Sequence, residues 1–301
     1  MPDRTRTCYL LNRNQPLYPN ELQAHVLIIT GEVNMSNIKL IVCDIDDTLI
    51  PRGKDDISDN LKMAFKQLKE KNIKLLVATG RHYKFLQPKL FDSLTFDHIV
   101  TINGAVLNDR DGKVLSYDTI SLSTLNKIVD ISKANNFGLG LKFKDNIVTY
   151  VNHKKFVDTY LKNQPELLPL VIDNCQSQNY HLEHGLPCGI FIIGEDEIVK
   201  QFNGRIDDLI IAKSYPNGYD AFLYNVNKAT GIEKYLELNN LSWDDCMAFG
   251  DAQNDIFMLE KARISVTFSN SLDDVKQNCT YITDLCANDG VYKALKHFEI
   301  I

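Results

Sequence analysis

The chain has 301 residues, of which 44% are hydrophobic and 24% are charged, and its formal net charge is −6. This is the composition of an ordinary soluble globular protein, with room for one large domain or two modest ones. The acidic balance without a long basic block argues against nucleic acid as the main partner. No apolar run reaches the ~18 residues of a membrane helix.

The first 37 residues do not resemble the rest of the chain. They are polar without a sustained period, apart from one short apolar run, and they lack the architecture of a signal peptide. We expect an N-terminal extension that is poorly ordered, and we hypothesise that translation begins at Met35. The alternative is a genuine short strand at His25–Thr30.

The first strong strand signal is the run Leu40–Cys43, which leads directly into Asp44, Asp46 and Asp47. A continuous run of branched apolar residues is typical of a strand that is buried on both faces of a parallel sheet. Ligands bind at the carboxyl ends of such strands. The three carboxylates therefore fall where chemistry is expected.

The same layout repeats twice more along the chain. A helix with Ser58 as its N-cap is followed by a buried strand at 73–78, which stops at Thr79-Gly80-Arg81. A helix over roughly 82–94, interrupted or kinked near Pro88, leads to a third strand that ends in Asn103-Gly104. Strands separated by helices predict a doubly wound α/β sheet.

From about Asp118 the pattern changes, and it predicts an inserted α+β domain at roughly 119–215. We expect a helix that starts near Leu122 and ends at Gly138 as its C′ glycine, a hairpin over 139–151, and a loop over 176–185. The alternating layout resumes with a strand at Asp220–Val226, which we assign to the first domain. The predicted domains are 1–37 as the extension, 38–118 with 216–301 as the core, and 119–215 as the insertion.

Helix, strand and helix signals then continue to the end of the chain. A helix follows Asn227-Lys228, and a buried strand at 246–249 ends in the polar segment Gly250–Asp255. The seven cysteines are odd in number, scattered, and never spaced C-x-x-C, which favours a reduced, cytoplasmic setting over a disulfide framework. They are Cys8, Cys43, Cys175, Cys188, Cys246, Cys279 and Cys286.

Two neighbouring carboxylates repel each other and need compensation by a divalent cation or by a division into one ionised and one protonated group. Both arrangements suit phosphoryl transfer. An ionised carboxylate can attack phosphorus, a magnesium ion can screen the two anions from each other, and a second carboxylate can protonate the leaving oxygen.

Five motifs stand in a shared order with the haloacid dehalogenase-like superfamily: Asp44-Ile-Asp-Asp-Thr-Leu, Thr79-Gly-Arg, Asn103-Gly-Ala, Asn227-Lys228 and Gly250-Asp-x-x-Asn-Asp255. Over about 38–301 the chain most resembles the Cof-type phosphatases, which carry a large α+β cap of class IIB. One departure is Asp47, where the family motif usually has glycine. Aspartate tolerates turn conformations, so we expect little harm.

The resemblance implies a role for each motif. Asp44 would be the nucleophile, and Asp46 the general acid and then the base, with its backbone carbonyl as a metal ligand. Lys228 would neutralise charge on Asp44 and the phosphate. The remaining implied residues are Thr79, Gly80, Arg81, Asn103 and Asn254 for phosphate or substrate, Asp251 with Asp44 for Mg²⁺, and Asp255 as support for the metal or Lys228.

Each motif by itself also has an ordinary structural interpretation. The Asp44–Asp47 segment could be an acidic turn, Arg81 a surface ion pair, and Asn103-Gly104 a structural turn. The segment from Cys175 to Cys188, with His181 and His184 between them, offers zinc-type ligands, but its spacing matches no standard zinc site.

The resemblance predicts a magnesium-dependent hydrolase that removes phosphate from small metabolites, such as sugar phosphates or phosphorylated cofactors. Its only expected partner is this substrate, with no nucleic acid and no membrane, and the protein is expected to be a monomer or a weak homo-oligomer. The alternatives are a phosphomutase-type phosphotransferase and a catalytically silent regulator that binds phosphorylated metabolites. A haloacid dehalogenase is disfavoured by Asp46 and the complete set of metal-site residues.

Overall fold

The computed structural model of the protein describes residues 38–206 and 209–301. The predictions for residues 1–37, namely the N-terminal extension and the strand at His25–Thr30, lie outside the described residues. The strands, in chain order, are β1 (Leu40–Cys43), β2 (Lys74–Ala78), β3 (His98–Thr101), β4 (Val106–Asp109), β5 (Val114–Tyr117), β6 (Gly138–Lys142), β7 (Ile147–Val151), β8 (Val171–Asp173), β9 (Gly189–Ile193), β10 (Leu209–Tyr215), β11 (Gly218–Leu223), β12 (Cys246–Phe249), β13 (Ile264–Phe268) and β14 (Tyr281–Thr283).

Helices connect these strands, together with several short 3₁₀ turns. They are α1 (Asp59–Glu70), α2 (Pro88–Ser93), α3 (Leu122–Ala134), α4 (His153–Tyr160), α5 (Tyr180–His184), α6 (Asp196–Val199), α7 (Lys228–Asn239), α8 (Ile256–Lys261), α9 (Asp273–Gln277) and α10 (Gly290–His297).

Eight strands form the larger sheet in the order β14-β13-β12-β1-β2-β3-β4-β5. The strands from β14 to β3 pair in parallel, whereas β4 is antiparallel to both of its neighbours. The predicted α/β class is confirmed, with the parallel part of the sheet carrying the strand ends that matter for function.

Strand β1 lies at the centre of this sheet and is buried on both faces, as its apolar run predicts. Its alternate residues enter two different hydrophobic clusters. Ile41 packs on the side of α1 and α10, and Leu40 and Val42 pack on the side of α7 and α8. Because helices cover both faces, a ligand can reach these strands only at their ends.

The smaller sheet has six strands in the order β10-β11-β9-β6-β7-β8, and all pairs are antiparallel except β7 with β8. One of its faces packs against α3, and the other packs against α4 and the core residue Phe85. We call this sheet with helices α3 to α6 the cap.

The return of the chain from the cap to the larger sheet was predicted too early. The strand expected at Asp220–Val226 in the larger sheet is β11, and it pairs with β10 and β9 in the smaller one. Strands of the smaller sheet therefore extend to Leu223, beyond the predicted boundary at 215/216. Local pattern identified a strand here, but sheet membership depends on partners that lie far away in the sequence.

Two local predictions within the cap were wrong. Helix α3 ends at Ala134, and Asn136 takes the left-handed conformation (φ 52) that we expected of Gly138. Gly138 instead opens β6, where an added Cβ would lie 2.9 Å from the backbone nitrogen of Phe156. The segment expected as a loop at 176–185 contains the short helix α5.

The predicted break near Pro88 is confirmed. The segment after β2 splits into a 3₁₀ turn at Tyr83–Phe85 and helix α2, and Pro88 opens that helix. Proline is favoured at this first position because its missing N–H has no partner there in any case. Ser58 is the N-cap of α1, as expected, and accepts a hydrogen bond from the backbone N–H of Leu61 at 3.2 Å.

Candidate active site at the strand ends

Parallel pairing brings the first and last motifs side by side. Strands β1 and β12 are neighbours, with Cys43 paired to Phe249, and the backbone N–H of Asp44 donates to the carbonyl of Phe249 at 3.1 Å. Asp44 therefore follows β1 directly, and Asp251 lies two residues beyond the end of β12. Carboxylates that are 207 positions apart in the sequence meet at one edge of the sheet.

Lys228 reaches this edge from the N-terminus of α7. Asn227 caps the helix by accepting hydrogen bonds from the backbone N–H groups of Ala229 and Thr230. The start of α7 packs tightly on Gly104, which has φ 99, and a Cβ there would lie 1.8 Å from the carbonyl oxygen of Asn227. The glycine of the Asn103-Gly104 motif is thus required by close backbone approach.

The ammonium group of Lys228 is fully buried between two carboxylates. Its Nζ donates to Oδ1 of Asp44 and to Oδ1 of Asp255, both at 2.6 Å. Burial by itself lowers the pKa of a lysine, but the two charges and their hydrogen bonds outweigh it and raise the pKa of Lys228 above its usual value. Lys228 is therefore a permanent positive charge at the centre of the site.

One lysine does not neutralise all the carboxylates around it. Burial, followed by the charges of Asp255 and Asp46, raises the pKa of Asp44 to about 7 even though Lys228 pulls it down. Burial and the charges of Asp255 and Asp44 raise the pKa of Asp251 well above its ordinary range. The site therefore favours an additional positive charge.

Asp44, Asp251 and Asp255 each offer one carboxylate oxygen, and these atoms lie within 4.8 Å of one another. Within the described residues this is the one group of acidic, histidine or cysteine side chains arranged to hold a metal ion. Both oxygens of Asp255 already accept hydrogen bonds, Oδ1 from Lys228 and Oδ2 from the backbone N–H groups of Asp251 and Ala252. Asp44 and Asp251 are thus the carboxylates best placed to bind a cation.

Asp46 and Arg81 form a second charged pair beside this cluster. Nε and one terminal nitrogen of Arg81 donate to the two oxygens of Asp46, at 2.8 and 2.7 Å. Desolvation opposes ionisation of Asp46, but the hydrogen bonds and charge of Arg81 prevail and hold its pKa below the usual value. Asp46 remains 45% exposed, so it faces the open side of the site.

The Thr79-Gly80-Arg81 loop and the Asn103 turn lie against each other at the ends of β2 and β3. The backbone N–H of Asn103 donates to the carbonyl of Thr79 at 3.0 Å, and Asn254 donates from its side chain to Oδ1 of Asn103 at 2.8 Å. Thr79 Oγ1 accepts from the backbone N–H of Arg81 at 3.1 Å. The structural turn expected at Asn103-Gly104 is thus present, and it joins three of the predicted substrate residues.

Asp47 takes the left-handed conformation (φ 56), and its Oδ1 accepts a hydrogen bond from the backbone N–H of Arg52 at 2.7 Å. A glycine is the easiest residue at such an angle, and aspartate is among the best substitutes because its side chain can bond locally. The departure from the family motif is therefore accommodated by the turn.

The four zinc-type residues of the cap are separately engaged. Nδ1 of His181 hydrogen-bonds the hydroxyl of Tyr150 at 2.9 Å, and His184 stacks on Tyr180. Sγ of Cys175 donates to Oγ1 of Thr149 at 3.8 Å, and Cys188 is buried. Within the described part of the chain these four side chains are not among the groups arranged to hold a metal ion.

Three residues at the site were not singled out from the sequence. Thr48 donates from its hydroxyl to Oδ1 of Asp251 at 3.1 Å, and its position inside the first motif was the available signal. Lys142 and Asp220 come from the cap and form a buried ion pair next to Gly80. Nothing in their local sequence marks them, because their partners are distant along the chain.

Fold and site together define a class of protein: an open α/β sheet with an acidic cluster at its strand ends, a buried lysine, and an inserted α+β cap. Residues 41–295 match the family model of haloacid dehalogenase-like hydrolases. The chain belongs to this family. None of the helices in the described residues has the length and apolarity that a membrane span requires.

The chain is similar to characterised enzymes and to solved structures over most of its length. The 5-amino-6-(5-phospho-D-ribitylamino)uracil phosphatase YcsE of Bacillus subtilis is 26% identical over 265 residues, which cover 88% of this chain and 97% of YcsE. The phosphatase BT1666 from Bacteroides thetaiotaomicron is 26% identical with a TM-score of 0.76, covering 88% of this chain and 97% of that one. The subclass IIB sugar phosphatase BT4131 shares the fold, with a TM-score of 0.76 at 23% identity over 87% of this chain and 100% of the other.

Proposed function

We propose that the protein is a magnesium-dependent phosphatase that removes phosphate from small phosphorylated metabolites through an aspartyl-phosphate on Asp44. The observation that carries this proposal is the position of Asp44, whose Oδ1 is held by Lys228 inside the acidic cluster. Its Oδ2 has no hydrogen-bond partner within the described residues. A carboxylate fixed through one oxygen keeps the other available for attack on phosphorus.

The donor set fits Mg²⁺. This ion takes oxygen ligands, usually one or two carboxylates with several waters, and Asp44 with Asp251 supplies two. The backbone carbonyl of Asp46 would be a third protein ligand. When bound, the ion supplies positive charge between the nucleophile and the phosphate, which lowers the repulsion between two anions.

The protein's own residues carry the remaining steps. Lys228 stabilises the negative charge of Asp44 and of the transferring phosphoryl group, and Asp255 orients Lys228 through its 2.6 Å hydrogen bond. Asp46 protonates the leaving oxygen and then, ionised, takes a proton from the attacking water. The ion pair with Arg81 favours the ionised form of Asp46. This pair must therefore separate before Asp46 protonates the leaving oxygen, but it favours the later step in which Asp46 accepts a proton from water.

The phosphate would lie against Thr79, Gly80 and Asn254. Thr79 Oγ1 accepts from the backbone N–H of Arg81, which leaves its hydroxyl hydrogen free to donate to a phosphoryl oxygen. Arg81 is within reach of the same group if it leaves Asp46. Asn103 acts through Asn254, because its Oδ1 accepts from the amide of Asn254.

The substrate is a small phosphate monoester, and YcsE, with a phosphorylated ribityl compound in its name, supports this size class. We propose a core of 38–118 and 224–301 and a cap of 119–223, which uses the sheet membership of β11 to correct the sequence boundary. The cap would close over the leaving group and select it. We further propose a monomer or weak homo-oligomer, which sedimentation analysis would test.

The test is hydrolysis of p-nitrophenyl phosphate by the purified protein, with and without magnesium, alongside the Asp44→Asn variant. We expect turnover that requires magnesium and that falls by at least about 10³-fold in the variant, because the nucleophile is lost. Asp158→Asn is the matched control, since Asp158 is exposed on α4 and, among the described residues, its ion-pair partner is Lys154. Turnover retained in Asp44→Asn would refute the nucleophile.

Product analysis separates the alternatives. Free inorganic phosphate indicates a hydrolase, whereas return of the phosphoryl group to a second position of a sugar phosphate indicates a mutase. Binding of phosphorylated metabolites without any turnover would support the regulator. A panel of phosphorylated metabolites then identifies the preferred leaving group.

A further inference from the structure

Lys142 is a buried cation that the proposed mechanism does not use. It lies at the end of β6 in the cap, and its side chain is 2% exposed. A buried ammonium group is costly unless charges and hydrogen bonds compensate it. The partners that a protein provides for such a group therefore indicate what the group does.

The cap supplies most of these partners from neighbouring strands. Asp220 of β11 accepts from Lys142 through Oδ1, and its Oδ2 accepts from the hydroxyl of Ser214 on β10 at 2.7 Å. Nζ of Lys142 also lies 5.3 Å from the ring centroid of Phe191 on β9, within the range of a cation–π interaction. Four cap strands thus build one site for this ammonium group.

The remaining partner belongs to the core. Nζ of Lys142 donates to the backbone carbonyl of Gly80 at 2.7 Å. A Cβ on Gly80 would lie 3.3 Å from Oδ2 of Asp220 and 3.0 Å from Oδ1 of Asn103. The Thr79-Gly80-Arg81 loop therefore lies directly beneath the ion pair of Lys142 and Asp220. The glycine allows this close approach.

A second contact joins the same two segments. His82 is buried and its pKa is lowered to about 3, mainly by burial, so the ring is neutral. Its Nδ1 accepts from the backbone N–H of Lys84 at 3.1 Å, which places the ring hydrogen on Nε2. Nε2 then donates to the carbonyl of Phe143 at 3.0 Å, one residue beyond Lys142.

The Gly80 carbonyl belongs to the same peptide group as the N–H of Arg81. That N–H donates to Oγ1 of Thr79. Lys142 and Thr79 thus hold opposite sides of one planar peptide. Rotation of this peptide would move the Thr79 hydroxyl, which the proposed function places on the phosphate.

We propose that Lys142, held by Asp220, is a positioning residue by which the cap orients the Gly80–Arg81 peptide and thereby the phosphate-binding hydroxyl of Thr79. The inference rests on the proposed function for the identity of the ligand. In this proposal Lys142 acts on binding of the phosphate group and not on recognition of the leaving group. Loss of Lys142 should therefore affect all phosphorylated substrates alike, whatever their leaving group.

The test compares the wild type with Lys142→Met and with the double variant Lys142→Met/Asp220→Asn. The double variant removes both charges and leaves no unpaired carboxylate buried. It can therefore be measured even if the single variant fails to fold. Lys144→Met is the matched control, because Lys144 lies in the same hairpin with its ammonium group over the exposed ring of Tyr117. Thermal unfolding establishes that each variant is folded at the assay temperature.

Two measurements are made in magnesium buffer. The first is kcat/KM for acetyl phosphate, which has a minimal leaving group, and for a hexose phosphate. The second is the affinity for inorganic phosphate by calorimetry, which requires no turnover. We expect kcat/KM to fall 10- to 100-fold on both substrates, as displacement of a binding group by about 1 Å can cause, and phosphate affinity to weaken at least 5-fold.

A loss confined to the hexose phosphate would overturn the proposal, because Lys142 would then act on the leaving group. Values within 2-fold of the wild type for both substrates and for phosphate would also overturn it. A purely structural role would lower the unfolding temperature without changing phosphate affinity in the folded variant. If the wild type has no phosphatase activity the proposed function fails, and the phosphate affinities still decide whether Lys142 positions the site.

Discussion

Replacement of Asp44 by asparagine is expected to stabilise the metal-free protein at neutral pH while it abolishes turnover. The carboxyl group is buried, and its pKa is raised from the ordinary 3.8 to about 7 even with Lys228 beside it. The folded state therefore disfavours the ionised form that the unfolded chain accepts freely. An amide of nearly the same shape has no such form.

The magnitude follows from the two pKa values. Between pH 3.8 and about 7 the native state binds a proton that the unfolded state releases, so the free energy of unfolding falls as pH rises through this interval. Each pH unit is worth about 1.36 kcal/mol, which gives a total of about 4 kcal/mol above pH 7. The variant avoids this loss. Its free energy of unfolding should therefore equal that of the wild type near pH 4 and exceed it most above pH 7.

The assay is thermal unfolding of both proteins in EDTA from pH 4 to pH 8. For a chain of this size about 1 kcal/mol corresponds to roughly 2–4 °C, so the variant gains several degrees at pH 8. Magnesium should reverse the order of the two unfolding temperatures, because a cation that binds only the folded wild type stabilises the wild type. A variant that unfolds at a lower temperature than the wild type at pH 8 in EDTA, or a difference that does not change with pH, would refute the reasoning.

Three further outcomes are expected. Asp251→Asn raises the magnesium concentration required for half-maximal activity at least about 10-fold, as a titration would show, because one of two ligand carboxylates becomes neutral. Arg81→Gln removes the charge that lowers the pKa of Asp46, so the basic limb of the kcat/KM profile, where the general acid of the first step loses its proton, moves to higher pH; an unchanged limb would exclude Asp46 as its origin. Gly104→Ala places a Cβ 1.8 Å from the carbonyl of Asn227 at φ 99, and urea unfolding should show a loss of at least about 2 kcal/mol.

Sequence patterns predicted most elements of the larger sheet because its strands are buried on both faces. Runs such as Leu40–Cys43 and Cys246–Phe249 are apolar throughout, and each is followed by polar residues. The order of the five motifs then indicated that Asp44, Thr79, Lys228 and Asp251 belong together. Parallel strands end at one edge, so a motif after each strand reaches a common place.

Sheet membership and the ends of some helices depend on contacts with residues that are distant in the sequence. The strand Gly218–Leu223 has the same apolar appearance whichever sheet it joins, and its pairing with β10 and β9 decides that it belongs to the cap. Helix α3 ends at Ala134 and Asn136 takes the left-handed conformation after it, whereas Gly138 lies where β6 packs closely on α4. Turn preference alone favoured the glycine.

The amino-acid sequence by itself determined the fold class, the position of the acidic cluster at the strand ends and the residue types that surround it. Only the tertiary structure decided the charge balance of the acidic cluster, since the pKa of Asp44 depends on its burial and on Lys228, Asp255 and Asp46 together. It alone paired Arg81 with Asp46 and placed the cap residue Lys142 against Gly80 of the core. The reason is physical: electrostatic and hydrogen-bond energies act over a few ångströms in space, whatever the separation of the groups along the chain.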